Sequence, residues 1–489
     1  MSNLESKEIE ETLDPADWRE LRQQGHRMLD DMFDYLETLR DRPVWQPIPR
    51  HVRESFRETL PAEPTSIAEV HETFLQDILP YAVGNAHPGF MGWVHGGGTA
   101  EGMLAEMLAA GLNANLGGRD QAPLEVERQV LQWVRELFGF PQESTGLFVT
   151  GSSMANLIGI LVARSRALGL AVRNRGVADC DERLVAYTSA AAHGCIAQAM
   201  EIAGLGSDAL RRIPTNDQYQ IDVPSLEEAI VADRKQGYTP FLIVGTAGSV
   251  DAGSIDNLDR LANIARQEGL WLHIDGAYAA LGMLAPEIAP LLTGIERADS
   301  LAFDFHKWGQ VPYDAGFILV RDGKMHLNTF ASSAAYLRRD SRAMAANSPW
   351  PCDFGPDLSR GFRALKTWFT IKVYGTQKLG RVIYRSCCLA QYMQQRIEED
   401  PGLELLAPVA LNVVCFRYCC ENSDEVNAAI VAELQQSGFA APSTTTIRGK
   451  LAIRAAIINH RTKSCDIDAL LRAVIQIGHS LRGRERHAA

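Results

Sequence analysis

The segment WLHIDGAYAA at residues 271–280 has the composition of a buried strand that ends in a carboxylate, Asp275. The segment FDFHKW at residues 303–308 ends a second apolar run with His306 and Lys307, and Lys307 follows Asp275 by 32 residues (307 − 275). That interval fits one strand–helix–strand step, which predicts that both side chains end neighbouring strands and converge on one ligand. Alone, Asp275 is also compatible with a helix cap and Lys307 with a surface lysine.

Apolar, β-branched runs alternate with helical stretches from about residue 86 to 320. This alternation predicts an α/β fold, with a mostly parallel sheet flanked by helices. The runs that predict strands are LVAYTS (184–189), PFLIVGT (240–246), LWLHID (270–275), SLAFDF (300–305) and AGFILV (315–320).

Two flanking regions complete the predicted domain organisation. Apolar residues near a 3.6-residue period predict N-terminal helices at 15–41 and 66–79, and the C-terminal tail has the pattern of a small α+β unit. We therefore predict an N-terminal helical segment (1–85), a large α/β domain (86–375) and a small C-terminal domain (376–489).

Two further strand ends carry polar residues that suit a phosphorylated, planar ligand. Ser152 and Ser153 begin a helix after the run LFVTG, where free amides and hydroxyls form an anion site, although Ser is also a common cap residue. His193 follows the strand LVAYTS and can stack on a flat ring, although a core or cap histidine is the more frequent case. Together with Asp275 and Lys307, these residues predict a site for pyridoxal phosphate.

Several motifs make the chain resemble the fold-type-I pyridoxal-phosphate decarboxylases of the aromatic-amino-acid and glutamate decarboxylase group. The resemblance covers about residues 15 to 480. Its motifs are HPGFMGW (87–93), LEVERQVLQWV (124–134), GSSMANL (151–157), AAAHGCIAQA (190–199), FDFHKW (303–308) and RGFRALKTWFTIKVYG (360–375).

The resemblance implies roles for individual residues. Lys307 would bind the cofactor covalently, Asp275 would pair with the pyridine nitrogen, and His306 would lie near the substrate carboxylate. Tyr336, in the segment YLRR, would protonate the substrate carbon after carbon dioxide leaves; related enzymes with phenylalanine there resemble aldehyde synthases. The other residues that the resemblance assigns to the cofactor are Ser152, Ser153, His193, Thr246, Ala277 and Asp304. Asp304 stands where those enzymes carry asparagine near the phosphate, so we expect its carboxylate to be turned away or paired.

The expected substrate wall is more polar than in animal aromatic decarboxylases. The matching stretch LNANLGGRDQAP offers Asn113 and Asn115, while Trp93 could supply an aromatic platform. Arg454 resembles a family arginine near the active site, although it could equally be a surface charge. The resemblance favours decarboxylation of an aromatic L-amino acid to its amine. The alternatives are an acidic or short diamino substrate, or a decarboxylating aldehyde synthase.

Charge and composition argue against some partners. The chain has 489 residues, a formal net charge of −12 and no long apolar run, so nucleic acid and membrane are poor partners. The start of the sequence, acidic and without an apolar stretch, predicts a cytoplasmic protein. Its nine cysteines predict reduced thiols in the core rather than a metal site. The resemblance implies a homodimer whose active sites lie at the interface.

Two rival functions are compatible with parts of the sequence. The motif HGGG at 95–98 and the GSSMA segment at 151–155 partly match an α/β-hydrolase esterase, with Ser153 as nucleophile. That interpretation leaves Asp275, Lys307 and His193 unexplained. The other rival is a catalytically inactive relative that binds the cofactor and serves as a scaffold; the presence of Lys307 and Tyr336 argues against it.

Overall fold

The computed structural model describes residues 12–332 and 340–488, and it has the predicted α/β fold with two sheets. The strands are β1 (Phe90–Met91), β2 (Thr145–Val149), β3 (Leu184–Ser189), β4 (Leu210–Ile213), β5 (Thr239–Thr246), β6 (Trp271–Asp275), β7 (Ser300–Asp304), β8 (Gly316–Val320), β9 (Leu403–Leu405), β10 (Val413–Tyr418), β11 (Ala441–Ile447) and β12 (Lys450–Ala456). The five runs that predicted strands correspond, in order, to β3, β5, β6, β7 and β8, and their ends agree to within one residue.

Helices surround both sheets. They are α1 (Trp18–Glu37), α2 (Arg50–Ser55), α3 (Ile67–Thr73), α4 (Ala100–Leu112), α5 (Ala122–Phe138), α6 (Ser152–Leu168), α7 (Val172–Arg175), α8 (Cys195–Ile202), α9 (Val223–Lys235), α10 (Leu258–Glu268), α11 (Gly323–Phe330), α12 (Arg363–Glu398), α13 (Ser423–Gln436) and α14 (Ser464–Ala488). In the described part of the chain, none of them combines the length and the apolar character that a bilayer-spanning helix requires.

The larger sheet has seven strands in the order β2-β8-β7-β6-β5-β3-β4. Its strands β3 to β7 pair in parallel, and β8 runs antiparallel to both of its neighbours. Strands β3, β6, β7 and β8 are buried along their whole length, which explains why they read as continuous apolar runs. Parallel strands bring their carboxyl ends to one edge, and the predicted site residues lie there.

The smaller sheet has the order β1-β11-β12-β10-β9. Its first strand, Phe90–Met91, pairs in parallel with β11, so the chain contributes to this sheet before it enters the larger one. The long helix α12 bends at Gly375, whose φ is 68°. Our predicted boundary between the large and small domains falls at the same residue. A positive φ is a conformation that glycine adopts readily.

Candidate active site

A cavity of about 370 Å³ opens at the carboxyl ends of the parallel strands. It brings together ten of the predicted site residues, which come from six separate segments of the chain. These residues are Trp93, Ser152, Ser153, His193, Thr246, Asp275, Ala277, Asp304, His306 and Lys307.

Lys307 and Asp304 form an ion pair at one side of the cavity. The Lys307 Nζ lies 2.9 Å from the Asp304 Oδ2, which also accepts a 2.8 Å hydrogen bond from the Ser152 hydroxyl. Asp304 ends β7 and is 1% exposed, whereas the Lys307 side chain remains 21% exposed. We expected the Asp304 carboxylate to be turned away from the phosphate or paired. In the structure it is paired, and its partner is Lys307.

Asp275 is a buried carboxylate at the end of β6. It is 5% exposed and accepts a 3.1 Å hydrogen bond from the Ala277 amide. Burial raises the pKa of the Asp275 carboxyl, and the neighbouring positive charge of Lys307 opposes that shift. A buried carboxylate in this condition gains from a cationic partner, as a protonated pyridine nitrogen would be.

The first turn of α6 faces the same cavity. Gly151 precedes the helix and has no side chain that could cap it, so the N-cap makes no side-chain hydrogen bond to the first amides of α6. A Cβ on Gly316 would overlap the backbone of Gly151, so β8 must carry glycine for this turn to sit against the sheet. Together with Ser152 and Ser153, the turn offers an anion-binding site of the kind that phosphate groups occupy.

His306 is held as a neutral imidazole between β7 and the cavity. Its Nδ1 accepts a 3.0 Å hydrogen bond from the Ala315 amide, and its ring packs against Tyr313 with 4.3 Å between centroids. Burial lowers the pKa of His306 to about 4. Since Nδ1 is an acceptor, the ring proton is on Nε2, which lies 3.7 Å from the Asp304 Oδ2.

His193 lies at the exposed rim of the cavity. It precedes α8, and its Nδ1 accepts a 3.2 Å hydrogen bond from the Cys195 amide. This bond holds the imidazole ring at the rim of the cavity.

Three predicted substrate residues lie outside the cavity lined by this chain. Asn113 ends α4 in a left-handed conformation on the surface, and Asn115 accepts hydrogen bonds from the Gly117 and Arg360 amides. Arg454 lies behind the wall and donates to the Trp93 carbonyl at 2.9 Å and the Val250 carbonyl at 2.8 Å. These bonds connect Arg454 to two segments that line the cavity. Tyr336 lies outside the described residues.

The glycine-rich motif after His95 has a packing role. A Cβ on Gly96 would overlap the carbonyls of His306 and Lys307, and the Gly97 amide donates to Gln310 at 3.0 Å. His95 itself pairs with Asn85 at 3.0 Å. The motif that resembles an oxyanion hole is therefore the means by which this loop lies against the lysine-bearing turn.

Several lining residues were not singled out by the sequence analysis. They are Val94, Thr150, Cys195, Gly248, Tyr278 and Tyr313. Each follows or precedes a strand end by a few residues, and that proximity was the available signal. A single sequence does not reveal which of the residues in a turn face the cavity.

The residues present fit pyridoxal phosphate. Two buried oxygens at the cavity, Thr246 Oγ1 and Asp304 Oδ1, have no hydrogen-bond partner among the described residues. Such atoms are costly unless a ligand or water satisfies them. An amine, a buried carboxylate and a helix N-terminus are also complementary to the aldehyde, the pyridine nitrogen and the phosphate, respectively.

Fold and site therefore define a pyridoxal-phosphate enzyme of the α/β type. The family model described as the pyridoxal-dependent decarboxylase conserved domain matches residues 49–419. The chain belongs to this family and is a pyridoxal-phosphate-dependent amino acid decarboxylase, a lyase of amino acid metabolism.

Three known proteins show the extent of the similarity. An aromatic-L-amino-acid decarboxylase from Bacillus atrophaeus is 32% identical over 91% of this chain and 92% of its own. A phenylacetaldehyde synthase from Arabidopsis thaliana is 29% identical over 91% and 93%, respectively. The crystal structure of Catharanthus roseus tryptophan decarboxylase with L-tryptophan superposes with a TM-score of 0.85 at 25% identity, covering 96% of this chain and all of that one.

Proposed function

We propose that this enzyme decarboxylates an aromatic L-amino acid to the corresponding amine and carbon dioxide. The observation that carries the proposal is the aromatic wall of the cavity. Trp93 lines the cavity while 56% exposed, and its ring stacks on His95 with 5.8 Å between centroids. Tyr313 lines it as well and is 46% exposed. Exposed aromatic rings at a cavity are suited to an aromatic side chain.

The charges around the cavity argue against the other substrate classes. Lys307 is the one Lys or Arg among the described lining residues, and it is committed to Asp304 and the cofactor. Among the described lining residues, a side-chain carboxylate of an acidic substrate would therefore meet no Lys or Arg other than Lys307. Both lining carboxylates, Asp275 and Asp304, also have roles toward the cofactor or Lys307, which leaves none for a second amine.

The residues of the chain set up the reaction, and bound pyridoxal phosphate supplies an electron sink for the electrons of the broken bond. Lys307 would hold the cofactor covalently through its Nζ amine. Asp275 holds a negative charge where the pyridine nitrogen would lie. Trp93 and Tyr313 add aromatic surface to the cavity, and a water-poor environment would favour departure of the substrate carboxylate as carbon dioxide.

Substrate choice is tested with the purified, cofactor-loaded enzyme and a panel of L-amino acids. We expect amine and carbon dioxide in equal amounts, with kcat/KM highest for tryptophan, tyrosine or phenylalanine. A higher kcat/KM for glutamate, aspartate or 2,4-diaminobutyrate would contradict the proposal. Failure of all substrates despite bound cofactor would favour the scaffold interpretation.

Replacing Trp93 by alanine is expected to lower kcat/KM for the preferred aromatic substrate by about tenfold, because one apolar contact surface of the pocket is lost. Trp93→Phe is the matched control and should keep most of the activity, since an aromatic ring remains. The same assay should show a smaller effect of Trp93→Ala on L-alanine. An equal loss for both substrates would show that Trp93 acts on folding or on the cofactor.

The resemblance also predicts which product the enzyme releases. With Tyr336 as proton donor, the product is the amine. Tyr336→Phe should therefore divert turnover toward aldehyde, with one O₂ and one water consumed and carbon dioxide, ammonia and hydrogen peroxide released per substrate. Assays of aldehyde and peroxide against amine check this ratio, and an unchanged amine yield would count against the role of Tyr336.

We further propose that the enzyme is a homodimer. Exposed apolar residues on α4, namely Met107, Leu108 and Leu112, support this assembly, since such a patch is typical of an interface. They precede Asn113 and Asn115, so an interface there would bring these two residues close to the partner. Sedimentation equilibrium checks the assembly, and a monomer at micromolar concentration would refute it.

A further inference from the structure

A continuous chain of buried hydrogen bonds runs from the amino ends of β6 and β7 in the large sheet to the cofactor cavity at the carboxyl ends of its parallel strands. Trp271 Nε1 donates to Ser300 Oγ at 2.8 Å, and Ser300 Oγ lies 2.7 Å from His273 Nδ1. His273 Nε2 lies 2.7 Å from Asn156 Oδ1, and Asn156 Nδ2 donates to Cys195 Sγ at 3.3 Å. Ser300, His273 and Asn156 are fully buried, and Cys195 lines the cavity.

The direction of each bond follows from the chemistry of its members. An indole N–H can only donate, so Ser300 accepts from Trp271 and its own hydrogen is available for His273 Nδ1. Burial lowers the pKa of His273 to about 3, so the imidazole is neutral. Because Nδ1 accepts from the Ser300 hydroxyl, the ring proton is on Nε2. The Nε2–H group donates to Asn156 Oδ1, so the Asn156 NH₂ group is the one that faces Cys195. All four bonds therefore point from the amino ends of β6 and β7 to the cavity.

The chain crosses the elements that hold the cofactor. His273 and Asp275 are two residues apart on β6, so they face the same side of the sheet. Asn156 and Ser152 are four residues apart on α6, so they share one face of the helix. The bond between His273 and Asn156 thus joins the strand that ends in the pyridine partner to the helix that begins with the phosphate site.

The third element is α8, which begins at Cys195. The Cys195 amide donates to His193 Nδ1. The last bond of the chain is therefore made by the residue whose backbone holds the ring of His193. Burial raises the pKa of the Cys195 thiol to about 12, which keeps it protonated.

Packing around His273 supports a dedicated role. A Cβ on Gly159, one turn after Asn156, would lie 2.7 Å from His273 Nδ1. Real Cβ contacts are not that short, so α6 carries glycine where the imidazole lies against it. Gly159 lowers the intrinsic stability of α6, but it leaves room for the His273 ring to pack against the helix.

We propose that Trp271, Ser300, His273, Asn156 and Cys195 form a positioning relay that fixes the phosphate site, the Asp275 carboxylate and His193 relative to one another. The relay residues do not react; they hold the groups that contact the cofactor. The inference rests on the cofactor that defines the family and not on the aromatic substrate proposed above, so either can fail without the other.

The test measures cofactor affinity and apoprotein stability separately. His273→Leu and Asn156→Leu each leave a buried partner unsatisfied, so each should lower the melting temperature of the apoprotein. Each should also raise the dissociation constant for pyridoxal phosphate, measured by titrating the apoprotein, by about tenfold, as is typical when outer partners of a binding group are lost. His273→Gln can still accept from Ser300 and donate to Asn156, and it should bind nearly as well as the unmodified protein.

The double variant separates positioning from stability. In His273→Leu with Asn156→Leu, two apolar groups face each other, and the melting temperature should recover much of its loss. The dissociation constant should stay raised, because the strand and helix no longer share a directional contact. If both the melting temperature and the dissociation constant recover, the proposal is wrong, and the hydrogen bond between His273 and Asn156 serves stability alone.

His326 provides the matched control. It is also a fully buried, neutral histidine with two hydrogen bonds, at 2.8 Å to Thr145 Oγ1 and 2.7 Å to the Phe354 carbonyl, and it does not line the cavity. His326→Leu should lower the melting temperature without changing cofactor affinity. If it weakens cofactor binding as much as His273→Leu does, the effect is one of general stability and the proposal is wrong.

Discussion

Replacing Lys307 by alanine is expected to lower kcat by roughly 10³-fold or more, because the amine that we propose binds the cofactor is removed. The visible absorbance band of the lysine-bound cofactor should disappear in the same variant. We expect the cofactor still to bind non-covalently, since Asp275, Thr246 and the first turn of α6 remain. The measurements are an absorbance spectrum and amine release over many turnovers.

Two further variants separate the covalent role of Lys307 from its charge. Lys307→Arg keeps a cation beside Asp304, so the buried carboxylate is not left unpaired, yet a guanidinium does not replace the amine. It should therefore be as inactive as Lys307→Ala but melt at a higher temperature. Lys324→Ala changes an exposed lysine in the first turn of α11 and should be fully active. Multiple turnovers by Lys307→Ala would refute the assignment.

The sequence predicted the strand ends well because the underlying signals are local. Asp275 and Lys307 each follow a continuous apolar run, and the 32-residue interval corresponds to one crossover between adjacent strands of a parallel sheet. In the structure, β6 and β7 are neighbours and both side chains line one cavity. The family resemblance added the roles that spacing alone left open between a cap, a surface charge and a ligand.

What the sequence did not reveal depends on contacts between distant segments. Arg454 was expected in the substrate pocket, but its guanidinium reaches backbone carbonyls 361 and 204 residues away, at Trp93 and Val250. The hydrogen bond from Arg454 to Val250 depends on how the small sheet packs against the large domain. The pairing of Asp304 with Lys307 depends on the turn after β7, whose side-chain directions have no sequence periodicity.

The glycines of the HGGG motif illustrate the same limit. Glycine permits both an oxyanion hole and a close approach of two backbones, so the motif alone could not choose between them. The structure shows the close approach, in which Gly96 lies against the carbonyls of His306 and Lys307. The resemblance to an esterase therefore arose from a packing requirement of the lysine-bearing turn.

Replacing Asp275 by asparagine is expected to change activity and apoprotein stability in opposite directions. Activity should fall by about 10²–10³-fold, because the charge that we propose would keep a proton on the pyridine nitrogen is lost. The apoprotein should become more stable at neutral pH. Burial raises the pKa of Asp275, so its contribution favours folding below the ordinary pKa of aspartate and is lost as pH rises through the folded-state value.

The matched control for this prediction is Asp299, which lies just before β7 at the opposite end of the sheet. Burial raises the pKa of its carboxyl too, and it accepts a 2.8 Å hydrogen bond from the Leu272 amide. Asp299→Asn should relieve a similar cost of burial without affecting amine release or cofactor affinity.

The same argument predicts how cofactor binding depends on pH. If a cationic group of the cofactor meets Asp275, binding should raise the melting temperature more at pH 8 than at pH 5, since the carboxylate that gains a partner is more fully ionised at the higher pH. In Asp275→Asn this difference should shrink. An undiminished pH dependence in Asp275→Asn would assign it to other groups, such as the phosphate site, and an active Asp275→Asn enzyme would remove the carboxylate from the mechanism.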